Sequence, residues 1–254
     1  SLGNRNVRLL FLGTFFTSAG NWLQNITLGY LAYQMTGNPV VVGTLLASRS
    51  IPWLLVGPFS GVIIDRVDRR LILVIPQGFK VLFAVGLGTI MLLDRTQVWH
   101  LYAYFILNGV CWTLDNPTRQ AAAVSSVPKE NYQNALSLLQ LGFGAGRILF
   151  PIIGGVIIEV AGGATLNLFL LAVCYGLVGL AFSPVKLERT STATGKARPS
   201  VLGDLVDGLR YVATQRATLG VIILGFIPPL FLQPFQNNLL PVFGEDVLDR
   251  DAAG

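Results

Sequence analysis

Three cations, Arg49, Lys80 and Arg147, and one acid, Asp115, lie inside long apolar runs of this 254-residue chain. Charge is costly in hydrocarbon, so such groups pair with each other, line a water-filled cavity, or mark a functional path. Arg49 lies about nine residues into its run, roughly 14 Å deep at 1.5 Å per residue, and Lys80 is similarly deep from the other side. Each either faces an interior cavity and holds an anionic or polar group, or pairs with backbone carbonyls, or snorkels. Amides recur at helical spacing: Asn21, Gln24 and Asn25 in one run, Gln233, Gln236 and Asn237 in another, both at i, i+3, i+4. Two polar faces at matched depth suggest two walls of one cavity. The other reading is interhelical hydrogen bonding that only holds a bundle together.

A second concentration of charge is "GVIIDRVDRR", residues 61–70, where Asp65, Arg66, Asp68, Arg69 and Arg70 follow an apolar run. Arginines alone would serve to orient a membrane protein. The acids need a further reason: an acid at a helix end can hold the positive N-terminus of a neighbouring helix and pair with arginine. Asp65 and Arg69 share a face if the helix continues through both. Gly57 and Gly61, four apart, offer a small-residue face for close helix approach. The cluster is either a latch that holds one conformation and releases it in another, or an inert topogenic loop.

Other chemistries are disfavoured. With one histidine, His100, a multi-histidine metal site is excluded, and Cys111 and Cys174 sit in apolar runs as core residues do. No metal or cofactor is expected. An intramembrane serine hydrolase would need a histidine near Ser60, and His100 lies at the far end of another run; no paired aspartates occur either. An enzyme is therefore not expected. No basic cluster is interleaved with aromatics, so the net charge of +5 does not indicate nucleic acid. No filter-like repeat suggests a channel.

The elements that must position these residues are membrane helices. Charged residues make up 12% of the chain, about half of the roughly 25% of soluble domains, and mean hydropathy is +0.61. Seven apolar stretches, near 9–33, 40–64, 71–93, 99–123, 134–158, 164–184 and 219–242, each approach or exceed the roughly 20 residues a spanning helix needs. Alternate connections hold thirteen Lys and Arg against two, which places the N-terminus in the cytoplasm. Three parts follow: a six-helix transmembrane bundle over 1–184; a cytoplasmic linker over 185–218 with an amphipathic helix built on Val201, Leu205, Leu209 and Val212; and a seventh helix with the start of an external loop over 219–254.

"GVIIDRVDRR" resembles the signature between helices two and three of the major facilitator superfamily, carried here by Gly61, Asp65, Arg66, Asp68, Arg69 and Arg70. "DNPTRQAAAVSSVP" at 115–128, "GNWLQ" at 20–24, "RSIPWLLVGPFSG" at 49–61 and "GDLVDGLRYV" at 203–212 are similar to the branch of siderophore exporters, macrolide-efflux proteins and transmembrane secretion effectors. The resemblance implies a twelve-helix fold of which this chain supplies six helices, the linker and one more, so a truncated chain. It implies a secondary active transporter of the bacterial cytoplasmic membrane, a proton-coupled exporter of small amphipathic molecules, monomeric when complete. A non-transporting receptor or scaffold that retains the fold is the alternative. The superfamily's charge relay implies that Asp115, with Arg119 one turn on, joins Asp65 and Arg69 in the latch. "GFGAGRILFPIIGG" resembles the helix-five antiporter motif through Gly142, Gly146, Pro151, Gly154 and Gly155, with Phe150 where that motif has glycine.

Overall fold

The computed structural model describes residues 5–161 and 163–185, with 203, 214–215, 218–220 and 224 beyond them; the side chains of Val62 and Asp65 lie outside the described set. Among the described residues there are helices and no strands. The chain divides into two compact units, Ser1–Gly195 and Lys196–Gly254. In the second, the described residues 203, 214, 218–220 and 224 are helical. The amphipathic linker helix and the seventh span, with Gln233, Gln236 and Asn237, otherwise fall outside the described residues.

The first unit contains six span-length rods. Helix α1 (Arg5–Thr36) stops where Gly37 takes φ +61°, a conformation open to glycine without a Cβ penalty, and donates its N–H to the Tyr33 carbonyl at 2.7 Å. Asn38 then caps α2 (Pro39–Ser48), its side chain accepting from Val40 N at 2.9 Å. Arg49 alone separates α2 from α3 (Ser50–Arg66). The interruption has a local cause: Pro52 has no N–H to give the carbonyl four residues back. Helices α4 (Arg69–Leu92), α5 (Val98–Ser125), α6 (Tyr132–Ala161) and α7 (Thr165–Phe182) complete the bundle, with a 3₁₀ turn, Lys129–Asn131, before α6.

Four stretches, Pro39–Gly61, Arg69–Leu92, Lys129–Ala161 and Thr165–Phe182, are long and apolar enough to cross a membrane. Helices α1 and α5 are longer still, at 32 and 28 residues, but more polar. Their polar side chains point inward: α1 buries Thr14, Thr17, Ser18, Asn21, Gln24 and Thr27, and α5 buries Asn108, Thr113, Asp115, Thr118 and Arg119. The apolar residues Leu54, Leu82, Ile148, Val160 and Leu180 are exposed, as befits helices whose outer surface meets lipid.

Helix α1 packs against α6 and α7, α4 against α7 and α5, and α5 against α3. Lipid is as apolar as leucine, so close packing and interhelical hydrogen bonds supply the association energy. Glycine permits the closest approaches. A Cβ on Gly20 would sit 2.5 Å from the ring of the buried Tyr175, and one on Gly146 would sit 2.6 Å from Ser18. Ser18 Oγ donates to the Phe143 carbonyl at 2.6 Å, tying α1 to α6. Two apolar clusters fill the interior, one around Leu23, Leu101, Phe105 and Leu171, the other around Leu10, Leu73, Leu139 and Phe182.

Candidate functional site

Three of the inward-facing groups meet in mid-bundle. Lys80 Nζ on α4 lies 3.4 Å from Asp115 Oδ2 on α5, and Arg119 Nη1, one turn along α5, lies 3.6 Å from the same oxygen. All three are almost fully buried, at 1%, 0% and 2% exposure. Asp115 is ten residues from the α5 terminus at Ser125, about 15 Å along the axis. Helical geometry makes the constellation possible: Asp115 and Arg119 are i, i+4 on one face, and α4 packs against that face. Arg119 Nη2 also donates to Asn116 Oδ1 at 3.2 Å.

Trp112 joins this group to a further cation. The Arg49 guanidinium carbon is 4.6 Å from its ring centroid, Arg119's is 5.8 Å away and Lys80 Nζ 5.9 Å, within the range at which cations are drawn to an indole. Arg49, half-buried at the α2–α3 break, donates from Nη1 to Asn21 Oδ1 at 2.6 Å. Lys80 Nζ also lies 5.3 Å from the Tyr175 ring centroid, and the Tyr175 hydroxyl donates to Gln24 Oε1 at 3.2 Å. One continuous polar region thus crosses α1, the α2–α3 break, α4, α5 and α7. It holds three cations; Lys80 and Arg119 meet the carboxylate of Asp115, and Arg49 meets Trp112 and Asn21.

This geometry differs from the sequence reading in three places. Asp115 and Arg119 were expected in the latch with the 61–70 cluster. They share one buried group with Lys80, Asp115 lying ten residues inside the α5 terminus; the Asp65 side chain lies outside the described residues. Helix α3 does not continue through Asp65 to Arg69: it ends at Arg66, and Val67 is extended at φ −103°, ψ 148°. Among the described residues no helix approaches Gly57 or Gly61 closely: nothing lies within 4 Å of a Cβ built on either. Asp68 does hold a helix N-terminus, capping α4 by accepting from Arg70 N at 2.9 Å. Arg66 and Arg70 are exposed and Arg69 is half-buried.

The remaining residues separate into groups. Asn21 and Gln24 are buried and Asn25 half-buried on α1. Arg147 is exposed on this unit, its guanidinium carbon 5.2 Å from the Trp22 ring centroid, apart from the Asp115 cluster. Of the helix-five residues, Gly142, Gly146 and Gly154 seat α6 against Phe11, Ser18 and Leu23 of α1, and Pro151 is half-buried within the helix. Among the described residues nothing lies within 4 Å of a Cβ built on Gly155.

Sequence reasoning passed over Trp112, Tyr175, Gln77 and Asn108. Gln77, 1% exposed with both amide atoms unpaired among the described residues, lies three residues before Lys80. Asn108, also buried, lies seven before Asp115. These i, i+3 and i, i+7 pairings were visible as polar stripes. An indole inside an apolar run carries no comparable signal.

Six membrane-length helical rods surround the buried charged cluster. The profile of the transmembrane secretion effector family matches residues 1–254, and the chain belongs to that family, within the major facilitator superfamily. It is 24% identical over 240 residues to the staphyloferrin A transporter of Staphylococcus aureus, covering 92% of this chain and 60% of that one. It is 24% identical over 225 residues to the enterobactin exporter of Escherichia coli, covering 86% and 51%. The multidrug efflux pump Tap of Mycolicibacterium fortuitum is 21% identical over 245 residues, covering 94% and 59%. A crystal structure of a peptide transporter superposes with a TM-score of 0.64 at 15% identity, covering 95% of this chain and 50% of that one. The chain spans about half the length of these relatives. It is a multi-pass membrane protein with a partial major-facilitator fold.

Proposed function

We propose that the protein works in secondary active export, moving small amphipathic molecules across the bacterial cytoplasmic membrane by alternating access at the expense of a proton gradient. The observation that carries this is the Lys80–Asp115–Arg119 cluster with Arg49 beside it. Burying three charges in mid-membrane is costly, and intramembrane charges of this kind mark functional sites by default. The names of three relatives, a siderophore transporter, a siderophore exporter and a drug efflux pump, support the substrate class.

In this reading the α1 amides Asn21, Gln24 and Asn25 form one cavity wall, with Arg147 also facing the cavity; Gln233, Gln236 and Asn237, the second amide set of the sequence, lie outside the described residues. Asp115 is the one buried carboxylate among the described side chains, so it is the group on which a coupled proton would act. The 65–70 segment and the α6 proline are the parts that respond as the cavity changes sides. The bundle over 1–184, the cytoplasmic linker over 185–218 and the segment over 219–254 complete the plan, with a cytoplasmic N-terminus. A monomer, working without nucleic acid, cofactor or catalysis, is sufficient for this function.

The test is export into everted membrane vesicles from cells making the protein as its gene encodes it. Energised vesicles should accumulate an amphipathic dye above control vesicles, and a protonophore should abolish the difference. Equal accumulation with and without the protein, across dyes of each charge, would replace this reading with that of a receptor or scaffold.

A further inference from the structure

The transport reading leaves open what the charged cluster is built to hold, and its charge excess answers that. Arg49, Lys80 and Arg119 surround Trp112, and Asp115 is the one anion among them. Among the described residues two positive charges are therefore uncompensated, beside a Lys80–Asp115–Arg119 group that is almost fully buried. Cation–π contact with Trp112 softens this cost but carries no net charge.

The internal pairing is also loose. Asp115 meets both cations through one oxygen, Oδ2, at 3.4 and 3.6 Å, whereas tight charge-assisted bonds run about 2.7–2.9 Å. Among the described residues its other oxygen, Oδ1, is buried without a hydrogen bond, and so is Arg119 Nη1. An arginine with an unused donor can form the forked pair that suits a carboxylate or sulfonate. The half-buried Trp112, with Phe143 5.9 Å away between centroids, adds a flat apolar surface.

Resting on the transport reading, we infer that this cluster binds an anionic group carried on an aromatic body, and that Asp115 is the internal counter-ion which that group displaces. Lys80 and Arg119 receive the anion, the ring lies against Trp112, and Arg49, held by Asn21, stands at the entrance. A cationic substrate would meet three like charges. A neutral one would leave the excess uncompensated.

The experiment uses the protein as its gene encodes it, purified and reconstituted, with three radiolabelled probes of one size: naphthalene-1-sulfonate, naphthalene-1-carboxamide and 1-naphthyltrimethylammonium. Binding and counterflow are measured for each. The sulfonate should be preferred. Arg119→Gln should weaken it by at least about tenfold, equivalent to about 1.4 kcal/mol. Asp115→Asn should tighten it several-fold, because the competitor is gone. That variant leaves three cations unpaired, so Lys80→Met/Asp115→Asn, which restores the wild-type excess of two, is measured beside it and should bind the sulfonate about as wild type does.

Preference for the carboxamide or the trimethylammonium, or loss of sulfonate binding in folded Asp115→Asn, overturns the anion assignment and leaves the transporter standing. If none of the three binds or moves, the transport reading falls with it.

Discussion

Replacing Asp115 by leucine should destabilise the bundle far more than replacing Lys80 by methionine, although the two residues form one ion pair. The asymmetry comes from the contacts. Asp115 serves both Lys80, at 3.4 Å, and Arg119, at 3.6 Å, whereas among the described residues Lys80 has Asp115 as its sole carboxylate partner. At 3.4 Å and an effective dielectric of about 20, one such pair attracts by about 5 kcal/mol before desolvation is counted. Removing one partner of a buried pair costs about 3–5 kcal/mol, because the other charge is stranded. Asp115→Leu strands two cations. Lys80→Met leaves Asp115 still facing Arg119. The double variant Lys80→Met/Asp115→Leu strands one cation fewer than Asp115→Leu, so it should be more stable than that single variant. For a chain of this size about 1 kcal/mol corresponds to about 2–4 °C in Tm, so one stranded cation alone is equivalent to about 6–20 °C, and Asp115→Leu should melt at least that far below wild type in detergent. Scanning fluorimetry on the four proteins gives the cycle directly. Equal melting of the two single variants, or a double variant as unstable as their sum, would refute the pairing.

Three other outcomes follow from the same contacts. Gly146→Leu places side-chain atoms where a Cβ already lies 2.6 Å from Ser18 and should cost at least the 1–3 kcal/mol (approximately) of an overpacked core. Gly155→Leu on the same helix, with nothing within 4 Å, should change the yield of monodisperse protein little. Asp68→Ala removes the α4 cap and should lower stability by about 1 kcal/mol, measured as a Tm shift, while Asp68→Asn should largely retain it. Arg49→Gln breaks the bond to Asn21 and the contact with Trp112; it should impair transport in everted vesicles while leaving Tm within a few degrees of wild type, since Arg49 is only half-buried.

Much of this architecture was legible from hydropathy, because a membrane helix must satisfy its backbone internally and announces itself as one long apolar run. The first six runs of the sequence correspond to the six rods, with the break at Arg49 following from Pro52. Depth could be read for Lys80 and Arg49 by counting residues. Partners could not. The resemblance to the superfamily's charge relay implies a place in the latch for Asp115; in the structure it lies ten residues inside the α5 terminus at Ser125, beside Lys80. The extended Val67 likewise separated Asp65 from Arg69, a break that charge spacing alone did not signal. Trp112 was invisible for the opposite reason: an aromatic residue in an apolar run is ordinarily read as packing, and only the three cations around it distinguish this one.

The measurement that bears most directly on the central claim is a structure of the protein with naphthalene-1-sulfonate bound. The sulfonate should lie within hydrogen-bonding distance of Arg119 or Lys80, the ring against Trp112, and the Asp115 contacts should be opened relative to the 3.4 and 3.6 Å seen here. A probe seated elsewhere, with Lys80, Asp115 and Arg119 still joined, would show that the buried charges hold the bundle together and do not handle substrate.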